Sequence, residues 1–164
     1  KLTFTPGTLQ FGDVAVQGIA SARTPADPLD PQAPTNPIFV VDMGGLRFAH
    51  FGDIGQDALT PEQLAALTNV DVAITPLSNP ESGMDYENRK GFLLMQQVQP
   101  RLVVPTHDSM MAARYANDLW HCVYSSQSSV VVTRAKLAGE VHCLLLGSAS
   151  ATFQQMLKLP TAQW

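Results

Sequence analysis

Histidine is scarce in this chain: four occur in 164 residues, and none precedes His50. Any imidazole-based site must therefore draw on the later part of the sequence. Charge is also thin. Asp, Glu, Lys and Arg together make 15% of residues, against a usual quarter or so. The basic residues are scattered, the net charge is −4, and no Lys/Arg cluster exists. This excludes the electrostatic footprint of a nucleic-acid binder. No apolar run approaches the roughly 20 residues of a membrane-spanning helix. The longest, Val141 to Leu146, is the size of a strand. No signal peptide is recognisable. The chain opens at Lys1 rather than Met, so processing or truncation upstream is an open expectation. Of two cysteines, Cys122 and Cys143, the expected state is a pair of buried thiols, with pairing as the alternative.

What is present is 45% apolar residue, enough for a single domain, residues 1–164, with its own core. So apolar and weakly charged a chain points to surface covered by something other than water, such as a partner chain. Thr8-Leu9-Gln10-Phe11 and Val14-Ala15-Val16 flank Gly12-Asp13 as a hairpin. Pro25, Pro28, Pro31, Pro34 and Pro37 then fall at a strict period of three, the repeat of a polyproline II helix. Segment 24–37 is expected to be extended and stiff. It is read as a rigid surface crossing, or alternatively as a docking strip for an aromatic-lined groove.

A second hairpin follows, Ile38–Val41 and Leu46–His50 around Gly44-Gly45. Thr60-Pro61-Glu62-Gln63 opens a helix: Thr60 can cap, Pro61 suits the first helical position, and Gln63 completes a capping box. Leu59, Leu64 and Leu67 give its apolar face. Val70–Ile74 is a strand. A polar loop from Ser78 to Gly83 leads to a helix carrying Phe92, Leu93 and Met95 and closed by Pro100. Leu102–Val104 is a strand and Met110–Ala116 a helix, while Val130–Val132 and the Val141 run add two more strands. Strand and helix alternate from Gly45 onward, so the fold class is α/β or α+β, a mixed sheet with flanking helices and a mainly parallel patch.

Two apolar runs end in residues with metal-ligand chemistry, at Asp53 in His50-Phe51-Gly52-Asp53-Ile54-Gly55 and at His107 in Leu102-Val103-Val104-Pro105-Thr106-His107. Sites of open α/β sheets form just past the carboxyl ends of strands, so both should stand on one sheet edge. A carboxylate and an imidazole are two members of a metal site, and a catalytic zinc usually needs three protein ligands.

The stretch Gly45–Gly55, the helix with Leu64, the strand Val70–Pro76 and Pro105-Thr106-His107, in that order, resemble the metallo-β-lactamase superfamily, notably its ascorbate-phosphate-lactonase-like hydrolases. The resemblance runs from about Thr8 to about Ser109. It implies a metallo-β-lactamase-like sandwich, truncated or degenerate here. It also implies that the residue at Asp53 bridges two metal ions and that His107 binds one, activating a water for hydrolysis. The chain departs from that pattern. The family's His-x-His-x-Asp-His motif is missing. Where a further family histidine follows the second strand, this chain reads Ser21-Ala22-Arg23-Thr24. His50 is not normally a ligand in the family. Asp27 and Asp30 could reach back only if the proline segment folded toward the strand ends. His121 and His142 have no ligand spacing and are read as ordinary surface or core histidines.

Three readings follow. The first is a degenerate member of the superfamily with only a remnant site at Asp53 and His107, no cofactor of its own, and a role as a structural or interaction subunit. The second is the carboxyl-terminal half of a hydrolase acting on an ester, lactone or phosphodiester with zinc or another divalent metal, its other ligands supplied elsewhere. The third is a peptide-binding module that uses the proline ladder.

Overall fold

The computed structural model describes residues 7–107, 109–127, 129–138, 142–146 and 158. Two antiparallel hairpins start the fold. β1 (Gly7–Phe11) turns through Gly12 and Asp13 into β2 (Val14–Ser21), and Gly12 takes the positive φ such a turn demands. β3 (Asn36–Met43) and β4 (Leu46–His50) join across Gly44-Gly45, both with positive φ. α1 (Pro61–Ala66) opens on the full capping box at Thr60. β5 (Val72–Pro76), α2 (Lys90–Val98), β6 (Leu102–Thr106) and α3 (Met110–Trp120) then alternate. β7 (Cys122–Ser125), the single-turn α4 (Arg134–Leu137) and β8 (Cys143–Leu146) follow. The strands form one mixed sheet in the order β1-β2-β3-β4-β5-β6-β8-β7, antiparallel through β4 and parallel from there on.

The two faces of this sheet are clothed very differently. Ile38, Val40, Ala49, Ala73 and Val103 lie on one face and pack with Leu59, Leu67, Leu94 and Met95 of the α1 and α2 regions. On the same side α3 adds Ala112, Ala113 and Ala116 over Cys122 and Cys143. α2 points Leu94 inward and leaves Leu93 exposed, because Phe92, Leu94 and Met95 fall on the face that meets the sheet.

Among the described residues, the opposite face is covered at one end only. Leu9, Val16, Val41, Phe48, Val72 and Leu102 are directly paired neighbours and so share this face. Along that row burial rises steadily: Leu9 is 58% exposed, Val16, Val41 and Phe48 are half-buried, and Leu102 is fully buried. The cover comes from Leu137 of α4 and from Val130 and Val132, which pack over Val72, Leu102, Val104, Val123 and Leu144. Toward β1 it stops, leaving Phe11, Phe39 and Met43 exposed on the same face.

Several sequence expectations are corrected. Val130–Val132 is not a strand. Its valines lie across the sheet face instead of pairing at its edge, where β7 takes the outermost place. The unforeseen β7 is a four-residue buried strand wedged directly after α3, too short to show a period. The proline segment is not one straight rod. A turn closes between Asp27 N–H and the Thr24 carbonyl, and Pro37 belongs to β3, paired with Ala20. Cys122 and Cys143 are not free thiols but a disulfide between directly paired residues of β7 and β8. For the open sheet face the sequence offers two covers, another protein or the chain's own tail with Phe153, Met156, Leu157 and Trp164; these four and Val141 lie outside the described residues. No described helix is long and apolar enough to cross a membrane.

Candidate functional site

β4 and β6 end side by side with β5 between them, and the loops beyond carry Asp53 and His107. The structure thus brings both sequence-predicted residues to one sheet edge. His107 Nε2 stands 3.6 Å from Asp53 Oδ1, an ion-pair distance slightly too long for a hydrogen bond. Both side chains are about half exposed, His107 at 52% and Asp53 at 41%.

The Asp53 loop is held by backbone geometry rather than by its own carboxylate. Buried Asn36 is the anchor. Its amide nitrogen donates to Phe51 O at 2.9 Å and to Ser21 Oγ at 2.7 Å, and its Oδ1 accepts the Asp53 N–H at 2.8 Å. Ser21 Oγ in turn donates to Asn36 O at 2.6 Å. Gly52 has a φ of 59°, and any Cβ there would collide with the Asn36 side chain. Gly55 donates to Ala22 O at 3.0 Å and lies so close to the Arg23 and Ser82 carbonyls that it too admits no side chain. The buried pair Gln56 and Gln63 extends the clamp, Gln63 donating to Ala20 O and Gln56 accepting from Ala22 N–H. The helix that sequence reading placed by its capping box is therefore also a brace for the site loop.

His107 adopts a left-handed backbone, φ 46°, a conformation uncommon outside glycine but one in which histidine is enriched. Its carbonyl accepts the Ser78 N–H at 2.8 Å, and Thr106 O accepts from Leu77, so the loops after β5 and β6 are tied together. Asn79, also buried, reaches the site itself: its Nδ2 donates to Asp53 Oδ1 at 3.2 Å, while its Oδ1 accepts from Glu81 N–H.

The other candidates stay out. His50 Nδ1 accepts the Gly52 N–H at 3.1 Å and serves the turn. Asp27 Oδ2 accepts from Thr24 N–H and Thr35 Oγ1, and these bonds, Thr35 first, hold its carboxyl below the ordinary carboxylate range. Asp30 Oδ1 closes its own turn with Gln32 N–H. His121 ends α3, and His142 lies beside Arg101 O, 3.4 Å from it. Pro25, Pro28 and Pro31 are exposed, while Pro34 and Pro37 are half-buried, all of them in or beside the segment that turns at Asp27. Among the described residues no group of three His, Cys, Asp or Glu side chains converges as a metal would require. One carboxylate and one imidazole do not by themselves fit a catalytic divalent metal. A cavity of about 810 Å³ opens at the other end of the parallel strands, around Arg47, Asp71, Arg101 and Arg134, and has no part in this site. There the buried Asp71 accepts from Arg47 N–H and pairs with Arg101 and Arg134, a tie between strand beginnings.

Sequence reading missed Asn36, Asn79 and Ser21. The one signal for Asn36 was its place before Pro37, which demands an extended residue at a strand start.

The beta-lactamase superfamily domain profile matches residues 1–107. No curated protein is similar enough in sequence to match. Among solved structures, a candidate zinc-dependent hydrolase of the metallo-β-lactamase superfamily from Thermotoga maritima superposes with a TM-score of 0.61 at 14% identity, covering 87% of this chain and 70% of that one. The metallo-β-lactamase fold protein YhfI from Bacillus subtilis gives 0.50 at 10% identity, over 88% of this chain and 52% of its own. This chain thus spans about half the length of the second.

Proposed function

This chain belongs to the β-lactamase superfamily, and we propose that it works as a structural or interaction subunit without a complete metal site of its own. The observation that carries this reading is the half-clothed sheet. Leu9, Phe11, Phe39 and Met43 stand exposed on one continuous apolar face whose other end is covered. Each such side chain contributes about 1.5–3 kcal/mol when buried, so a handful suffices for a stable interface. The test is native purification with mass measurement. A stoichiometric partner that survives high salt is expected. Phe39→Ser with Met43→Ser should release it while the fold persists, because neither side chain is buried. A wild-type protein that runs as a monodisperse monomer would overturn the reading.

A second reading is favoured by the Asp53–His107 pair on a loop clamped by Asn36. It is the carboxyl-terminal portion of a hydrolase for an ester, lactone or phosphodiester. Asp53 and His107 would then supply two ligands for zinc or another divalent metal, and the remaining donors would come from elsewhere. Stoichiometric metal in native material, lost in Asp53→Ala, would favour it over the subunit reading.

A further inference from the structure

β1 is the outermost strand of the sheet, and all five of its residues are exposed. Edge strands in soluble proteins are normally guarded by a charge, a proline, a bulge or a covering element. Gly7-Thr8-Leu9-Gln10-Phe11 carries no charge and no proline, and its pairing with β2 runs without a bulge. The two-residue turn makes Phe11–Val14 a hydrogen-bonded pair, so by alternation Leu9–Val16 is one as well. Thr8 and Gln10 consequently aim their backbone N–H and C=O groups outward, along an edge that no described strand pairs with.

We propose that this edge is a self-association site at which a second copy of the chain adds its own β1 in antiparallel register, Leu9 opposite Leu9 of the partner subunit. This rests on the subunit reading in that association is expected, and goes beyond it: edge pairing leaves Phe39 and Met43 of both copies open for the face-covering partner. The strand is complementary to itself in each respect that pairing needs. Centred on Leu9, Thr8 meets Gln10 of the partner subunit, and each pair exchanges both backbone hydrogen bonds. Leu9 and Phe11 stay on the apolar face, where Phe11 meets Gly7 of the partner subunit and finds room over it. A neutral strand has no like charge to repel its copy, whereas a Lys- or Asp-bearing edge would. Pairing also doubles the width of the uncovered apolar face, bringing Leu9 and Phe11 of both copies into contact.

The register makes the test specific. Leu9 would occupy a non-hydrogen-bonded pair on the two-fold axis, where Cα atoms come to about 4.5 Å, within disulfide reach. Under mild oxidation Leu9→Cys should form a covalent dimer in high yield, and Gln17→Cys on the neighbouring strand should not. Thr8→Pro removes an outward N–H without touching the β1–β2 bonds. It should keep the circular dichroism spectrum and halve the mass measured by sedimentation. Absence of a Leu9→Cys dimer together with a monomeric wild-type mass overturns the proposal. If the wild type is then found in a stable complex with a different polypeptide, the subunit reading survives. If it has no partner at all, both fall.

Discussion

Asn36 and Asp53 are seventeen residues apart in sequence and joined by a single 2.8 Å bond from the Asp53 N–H to the Asn36 side chain. The same amide holds the Phe51 carbonyl and Ser21 Oγ. Asn36→Ala should therefore leave buried polar groups without partners and cost about 1–3 kcal/mol in urea denaturation. Gly52→Ala should also destabilise, since it combines a positive φ with a collision against Asn36. Unchanged midpoints in both variants would remove Asn36 as the anchor of the loop.

Asp53→Ala should behave in the opposite way. Among the described residues its carboxylate accepts one hydrogen bond, from the Asn79 amide, beside the His107 ring at 3.6 Å, and it stands half exposed, so the variant should keep its stability within about 0.5 kcal/mol. Elemental analysis of native material should find no stoichiometric zinc, iron or manganese, and the variant should not change that result. Stoichiometric metal in the wild type would transfer the assignment to the hydrolase reading.

The Cys122–Cys143 bridge closes a loop across a separation of 21 residues and staples β7 to β8. Replacing both with Ala should lower unfolding stability by about 2–4 kcal/mol, chiefly by freeing the unfolded chain. The comparison to make is thermal unfolding of the oxidised wild type against the double variant. Equal stabilities would mean that this staple contributes nothing.

The turn at Asp27 should be sensitive to acid. Bonds from Thr35 and Thr24 hold the folded carboxyl below the value it has in the unfolded chain. A depressed carboxylate gives stability that is present above the unfolded pKa and lost as pH falls through the folded one. The Thr24 amide resonance should hence shift only below the ordinary carboxylate range. Asp27→Asn should abolish that transition. A midpoint at or above the ordinary range would contradict the assignment.

Where local chemistry decides the structure, the sequence was easy to read. Glycine pairs fixed the hairpin at Gly44-Gly45, Thr60-Pro61 with Gln63 fixed the start of α1, and the ends of two apolar runs placed Asp53 and His107 together. Where tertiary packing decides, it was not. Val130–Val132 has the composition of a strand, yet the outer place in the sheet goes to β7, and the valines cover the face beneath. The proline period is regular, but Asp27 with Thr24 and Thr35 bends the segment through bonds that no periodicity reveals. Asn36 and Asn79 escaped notice because a buried amide becomes important only through partners distant in sequence.

The clamp on the Asp53 loop has an evolutionary consequence. Asn36, Gly52 and Gly55 shape the loop without calling on the side chain at position 53. Chemistry and architecture are thus separately heritable at this sheet edge. A substitution at position 53 can therefore change the chemistry offered at this edge while the loop that presents it keeps its shape.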